Sequence, residues 1–168
     1  MCLVASCDQA LFYGQVGSYG DRNLSSLLAL MRRLPLVALP FNSGLRQPIH
    51  ASQLASVALH LAQQMLGPAG LDPAPPERIA LGGDSQLSYK AMLQALQQAL
   101  PANDPARHCR ICEIPNRLFF LLAAPLLLRS PKAFEAVLRI GADLAGFTPS
   151  HQLLNQTPQP FPVLPLAL

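Results

Sequence analysis

The sequence predicts an α/β fold, in which short strands alternate with helices along the chain. Short apolar runs bounded by proline or glycine are typical of buried strands, and several of them recur along the chain. Between them lie longer stretches whose apolar residues are three or four positions apart, as on one face of a helix. A length of 168 residues is sufficient for one hydrophobic core.

In the first half of the chain, proline and glycine mark the ends of predicted elements, and apolar residues at helical spacing mark the helices. The run Leu36–Leu39 lies between two prolines and therefore predicts a buried strand. Asp21 or Asn23 can cap the helix before it, and Ser52 the helix after it. In chain order we predict a strand within 3–13, a glycine-rich loop over 14–20, a helix over 24–33, a strand over 36–39, a loop over 41–48 that carries Arg46, and a helix from Ser52 to the stop at Gly67-Pro68.

The second half follows the same alternation after a linker rich in proline and glycine. Ser88 is a suitable cap for a helix whose apolar stripe comprises Met92, Leu93, Leu96 and Leu100. In chain order we predict the linker over 67–76, a strand over 78–83, that helix, a loop over 101–107, a strand over 110–114, helices over 116–128 and 132–144, and an irregular tail. The predicted domains are an α/β region over 1–145 and the tail over 146–168.

The composition limits the classes of partner. Only 12% of the residues are charged and 51% are hydrophobic, so we expect some apolar surface to face a homo-oligomer or a second chain. The net charge of +3 is scattered, which argues against nucleic-acid binding. The longest apolar run, 118–128, is too short for a membrane span and predicts a buried helix. No export signal is recognisable, so we expect no membrane association and a cytoplasmic location.

Three stretches, taken in order, resemble the second half of extended or atypical short-chain dehydrogenase/reductases, the NAD-dependent epimerase/dehydratase group. They are Leu11-Phe12-Tyr13-Gly14 with Asp21-Arg22-Asn23, then Arg46-Gln47-Pro48-Ile49-His50, and then Ile79-Ala80-Leu81-Gly82-Gly83 with Leu87-Ser88-Tyr89. The resemblance implies a partial Rossmann-type domain, consisting of the C-terminal strands and helices of such an enzyme.

The resemblance also implies a substrate-binding region. In members that use nucleotide sugars, the arginine of the second stretch contacts a substrate phosphate, so Arg46 is a candidate for that contact. Arg46, Asn23, His50 and Tyr13 are the candidate substrate-binding residues, and the implied substrate is a nucleotide-sugar-like small molecule. Other interpretations remain open: Arg46 as a solvated loop residue, His50 as a structural histidine and Asn23 as a helix cap.

Departures from the family pattern place catalysis in doubt. Asp8 and Gln9 stand where the family has an Arg-Pro pair, and Ser52 and Gln53 stand where it commonly has aspartates. The family's catalytic Tyr-x-x-x-Lys pair is absent, because no tyrosine of the chain has a lysine four residues on. We therefore assign no catalytic residue.

A glycine-rich loop offers a possible cofactor site. Gly14, Gly17 and Gly20 have the Gly-x-x-Gly-x-x-Gly spacing of a nucleotide loop. Such a site requires an acidic residue or an arginine at the end of the next strand, and Leu39-Pro40-Phe41-Asn42 has neither. We interpret the loop as a turn, so NAD(P) is implied by the family but is not expected to bind this chain alone.

The pair Cys109 and Cys112 has the spacing of a metal or redox motif. Zinc would require a second pair, and residues three apart in a strand point to opposite faces. We therefore predict buried thiols and no metal site.

Two functional hypotheses follow. The first is a truncated or split epimerase/dehydratase-like protein that retains the substrate-binding region and is inactive alone. The second is a non-catalytic interaction subunit that docks through its apolar face.

Overall fold

A computed structural model describes residues 11–14, 21, 23–66 and 79–163. The strands are β1 (Phe12–Tyr13), β2 (Leu36–Pro40), β3 (Leu45–Arg46), β4 (Ile49–His50), β5 (Leu81–Gly82), β6 (Leu87–Ser88), β7 (Arg110–Ile114) and β8 (Thr148–Pro149). The helices are α1 (Asn23–Arg33), α2 (Ala51–Leu66), α3 (Tyr89–Ala99), α4 (Asn116–Arg129), α5 (Pro131–Ile140) and α6 (Ser150–Leu154), with a 3₁₀ helix at Pro105–His108. The mixture of helices and mainly parallel strand pairs confirms the α/β class.

The chain forms two compact units from alternating segments. Unit 1 comprises the described residues of Met1–Asn23, Gln47–Gln86 and Ala145–Leu168. Unit 2 comprises Leu24–Arg46 and Leu87–Leu144. Each unit therefore depends on segments that are far apart in the sequence.

Unit 1 contains two parallel strand pairs covered by helices. β1 pairs with β4, and β5 pairs with β8. Ile49, Val57 and Leu81 form a buried apolar cluster. Leu153 and Leu154 of α6 pack against this cluster, so the C-terminal segment contributes to the core of unit 1.

Unit 2 is built on the parallel pair of β2 and β7, which is in register from Leu36 opposite Arg110 to Pro40 opposite Ile114. As predicted, α3 buries one apolar stripe that includes Met92, Leu93 and Leu96. Ser88 caps this helix, because its Oγ accepts the backbone N–H of Ala91 at 3.1 Å. β2, β7, α1 and α3 lie close to the positions predicted for them.

Long-range contacts change several predicted elements. The loop over 41–48 contains β3, which pairs with β6 in antiparallel fashion. The helix predicted to reach residue 144 ends at Ile140, because the N–H of Leu144 donates to the carbonyl of Leu45 at 2.8 Å. The tail predicted to be irregular contains β8 and α6, which pack in unit 1. The predicted strand over 78–83 is reduced to β5, and of the strand predicted within 3–13 only Phe12–Tyr13 is among the described residues.

The apolar run over 118–128 is a helix, α4, but the prediction that this helix is buried is wrong. Leu118, Leu121, Leu122 and Leu128 are between 45% and 92% exposed. Ala123, by contrast, is buried. Among the residues that the structure describes, no helix has the length and apolar character needed to cross a membrane.

Candidate functional site

Tyr13 and His50 lie together at the ends of two parallel strands of unit 1. The register of β1 and β4 pairs them directly, and their rings meet edge to face with centroids 5.0 Å apart. In α/β sheets, ligands usually bind at the carboxyl ends of parallel strands. Two of the four candidate substrate-binding residues therefore occupy one such edge.

The phenol of Tyr13 is buried and already hydrogen-bonded. Its side chain is 2% exposed, and its hydroxyl oxygen accepts the backbone N–H of Val163 at 3.0 Å. Burial raises the pKa of Tyr13 to about 12, although the hydrogen bond from Val163 opposes this shift. Tyr13 is consequently a neutral phenol at physiological pH.

His50, rather than Ser52, caps α2. The helix begins at Ala51, so Ser52 lies inside its first turn. Nδ1 of His50 accepts the backbone N–H of Ser52 at 3.2 Å and lies 2.7 Å from the Ser52 hydroxyl oxygen. The N–H of His50 in turn donates to Oε1 of Gln53 at 3.0 Å, which resembles the reciprocal bonding of a capping box. Burial lowers the pKa of His50, which favours the neutral ring.

Asp84 is a buried hydrogen-bond acceptor in unit 1, and no sequence motif predicted a role for it. It follows β5, and its side chain is 2% exposed. Its carboxylate accepts four hydrogen bonds: from the hydroxyl of Ser150 at 2.7 Å, from the N–H groups of His151 and Gln159 at 2.9 Å each, and from Nε2 of Gln53 at 3.2 Å. Asp84 thus ties the C-terminal segment to α2.

The protonation of Asp84 follows from these bonds. Burial by itself would raise the pKa of Asp84, but the hydrogen bonds from Gln159, His151 and Ser150 outweigh burial and lower it. Nδ1 of His151 lies 3.1 Å from Oδ1 but makes no hydrogen bond with correct geometry. The carboxylate is therefore ionised at neutral pH, and backbone N–H groups contribute most to stabilising its charge.

Gln47 makes a second buried connection within unit 1. It is 1% exposed, and its Nε2 donates to the carbonyls of Gly83 and Phe147 at 2.8 and 3.0 Å. Its Oε1 accepts the N–H groups of Gly146 and Phe147. Every polar group of this amide is therefore used to hold the chain together.

Arg46 belongs to unit 2 and is buried, which excludes the interpretation as a solvated loop arginine. It is 3% exposed, and its guanidinium lies 5.5 Å from the centroid of the Tyr89 ring. It donates to the carbonyl of Leu45 at 2.9 Å and to the carbonyls of Arg139 and Ala142. Burial lowers the pKa of Arg46. Much of the hydrogen-bonding capacity that a phosphate contact would need is thus committed to the chain's own backbone.

Gly14, the described residue of the glycine-rich loop, lies against His50. Gly14 has a φ of +104°, and a Cβ at this position would collide with the imidazole of His50. This glycine therefore accommodates the chain's own side chain. Gly17, Gly20 and the side chain of Asn23 lie outside the described residues, so the predictions for them remain predictions.

The two cysteines differ in their surroundings. Cys109 is buried just before β7, and burial raises the pKa of its thiol. Cys112, within β7, is partly exposed. Within the described ranges, no group of three His, Cys, Asp or Glu side chains is placed to hold a metal ion.

The chain was compared with protein-family models and with curated proteins. No protein-family model matches the chain, and no curated protein is significantly similar to it.

Proposed function

We propose that the chain is a relative of the extended short-chain dehydrogenase/reductases of the NAD-dependent epimerase/dehydratase group, which binds a nucleotide-sugar-like small molecule and does not catalyse by itself. NAD(P) is the cofactor of that group. Catalysis would require a Tyr-x-x-x-Lys pair and a cofactor site from another polypeptide segment.

One observation carries this proposal: Tyr13 and His50, two residues selected by the resemblance, meet at the carboxyl ends of β1 and β4. The neutral imidazole of His50, which is only partly buried, suits hydrogen bonding to a sugar hydroxyl, and the ring of Tyr13 packs beside it.

Calorimetric titration of the full chain tests this proposal. UDP-glucose, used as a probe of the substrate class, should release or absorb heat on binding, whereas NAD⁺ and NADP⁺ should not. His50→Ala should weaken UDP-glucose binding at least tenfold. His60→Ala is the matched control, because His60 lies on α2 and its ring contacts Gln64, not the strand ends.

Two results would reject the proposal. One is tight binding of NAD⁺ or NADP⁺ to the isolated chain, which would restore the glycine-rich loop as a cofactor site. The other is UDP-glucose affinity that does not differ between His50→Ala and His60→Ala.

A second candidate function, as a non-catalytic interaction subunit, is favoured by the exposed side of α4. Leu118, Leu121, Leu122 and Leu128 follow one another at intervals of three, one and six positions and fall on one side of the helix, and we call them the leucine stripe. Contiguous apolar surface of this kind commonly marks an interaction site. Light scattering should therefore show dimers or larger assemblies, and a strictly monomeric chain would count against this function.

A further inference from the structure

In the segment Gln159–Val163 every second residue is proline, so the segment has few backbone N–H groups that can donate hydrogen bonds. Positions 158, 160 and 162 are prolines, which have no N–H. The segment can therefore donate only from Gln159, Phe161 and Val163. Each proline ring also restricts the backbone of the segment, so the segment loses less entropy when it binds.

All three of these N–H groups are accepted by side chains of unit 1. Gln159 donates to Oδ2 of Asp84 at 2.9 Å, Phe161 donates to Oγ of Ser85 at 3.1 Å, and Val163 donates to the hydroxyl oxygen of Tyr13 at 3.0 Å. The acceptors belong to residues that follow or end strands, and none is a backbone carbonyl. The segment is therefore recognised by side chains and does not add a strand to a sheet.

An aromatic contact lies between the outer two hydrogen bonds. The ring of Phe161 meets the ring of Tyr13 edge to face, with centroids 5.1 Å apart and planes at 72°. Tyr13 thus contacts the segment through both its ring and its hydroxyl. Gln159 and Pro160 are exposed, and Phe161, Pro162 and Val163 are partly exposed, so the outer side of the segment is open to solvent.

We propose that the surface formed by Tyr13, Asp84 and Ser85 is a binding site for peptides of the pattern X-Pro-aromatic-Pro-X, and that the chain's own Gln159–Val163 fills it. A peptide of this class in solution binds by displacing that segment. The inference goes beyond the proposed function, because its ligand is a peptide and it requires neither a nucleotide sugar nor a cofactor.

A labelled peptide provides the direct test. The probe is residues 157–163, acetylated, amidated and carrying a fluorophore, titrated into the full chain and followed by anisotropy. In the wild type the attached segment competes at an effective concentration on the order of millimolar, so the probe should bind weakly. In the full-length Phe161→Ala variant this competitor is weakened, and the probe should bind at least tenfold more tightly.

Two matched controls define specificity. A probe with alanine in place of its phenylalanine should not bind the Phe161→Ala chain measurably. Adding Ser85→Ala to that chain should weaken binding of the original probe severalfold, because the acceptor for its central N–H is lost. Equal probe affinity for wild type and Phe161→Ala, with both folded by circular dichroism, would overturn the proposal.

Hydrogen exchange on the wild-type chain tests the premise without any variant. The amides of Gln159, Phe161 and Val163 should exchange at least tenfold more slowly than an unstructured chain allows, and an excess of unlabelled probe should speed their exchange because it displaces the attached segment. Unprotected amides in the wild type would refute the site. Because UDP-glucose titration is a separate measurement, failure of the peptide site and failure of the proposed function are distinguishable.

Discussion

At the scale of single residues, buried polar side chains in unit 1 join parts of the chain that are distant in sequence. Asp84 accepts four hydrogen bonds while 2% exposed, and the donors are up to 75 positions away. A charged acceptor with this many partners contributes more than an ordinary hydrogen bond, and loss of its charge leaves buried donors unpaired. Asp84 is therefore the residue whose chemistry is least replaceable in unit 1.

Asp84→Asn should lower the free energy of unfolding by about 2–4 kcal/mol, because the amide presents an NH₂ group to N–H donors that the carboxylate accepts. Urea denaturation measures the change. Asp143→Asn is the matched control, since exposed Asp143 accepts the N–H of Leu45 at 2.8 Å, and this substitution should lower the free energy of unfolding by about 1 kcal/mol. Equal losses in the two variants would contradict the role assigned to Asp84.

The lowered pKa of Asp84 also predicts a pH dependence. The folded chain holds this proton less tightly than the unfolded chain, so the stabilisation is complete above the unfolded pKa of about 3.9 and is lost as the pH falls through the folded pKa. The difference in unfolding free energy between wild type and Asp84→Asn should be constant from about pH 7 to about pH 5 and should narrow near about pH 3.

At the scale of elements, Arg46 shows how one side chain joins β3 to the end of α5. Its guanidinium contacts the carbonyls of Arg139 and Ala142 and the ring of Tyr89. A planar fork with several donors can satisfy carbonyls in different directions, which a single ammonium group cannot do. The end of α5 therefore depends on arginine at this position.

Arg46→Lys should lower the free energy of unfolding by about 2–3 kcal/mol, because the carbonyls of Arg139 and Ala142 lose the donors of the buried guanidinium despite the retained charge. Arg33→Lys, at an exposed position of α1, should change it by less than about 0.5 kcal/mol. Thermal denaturation of both variants gives the comparison. If Arg46→Lys left the free energy of unfolding unchanged, the guanidinium would not be needed to hold the end of α5.

Sequence patterns predicted the elements that depend on local interactions. α3 has both its cap, Ser88, and its apolar stripe within one short segment, so its position could be inferred directly. β3 and α6 could not be inferred, because β3 pairs with residues about 40 positions away and α6 begins beside a carboxylate 66 positions away. The candidate site was found in part: Tyr13 and His50 through the resemblance, but not Asp84, which no motif marks.

The burial of α4 was also predicted incorrectly, because burial too depends on contacts that are distant in the sequence. Composition identifies a helix rich in leucine, but only neighbouring elements determine which of its sides is covered. The exposed leucine stripe is therefore a property of the folded chain that its residue content does not reveal.

At the scale of the whole molecule, the leucine stripe should control self-association. The double variant Leu121→Gln and Leu122→Gln should shift the assemblies seen by light scattering toward monomer. Its unfolding free energy should change by less than about 0.5 kcal/mol per site, because both side chains are already mostly exposed. Leu59→Gln on α2, where the leucine is 61% exposed, is the matched control and should leave association unchanged. An unchanged size distribution in the double variant would exclude the stripe as the interface.

The alternation of segments between the two units has a consequence for folding during synthesis. The hydrogen bond from Val163 to Tyr13 closes a loop of 150 positions, and contacts of such long range form slowly because the entropy of loop closure must be overcome first. All residues of unit 2 are synthesised before β8, α6 and Gln159. Until then β5 has no β8 to pair with, and Asp84 lacks its donors from Ser150, His151 and Gln159. Unit 1 is therefore completed last, although the chain begins with it.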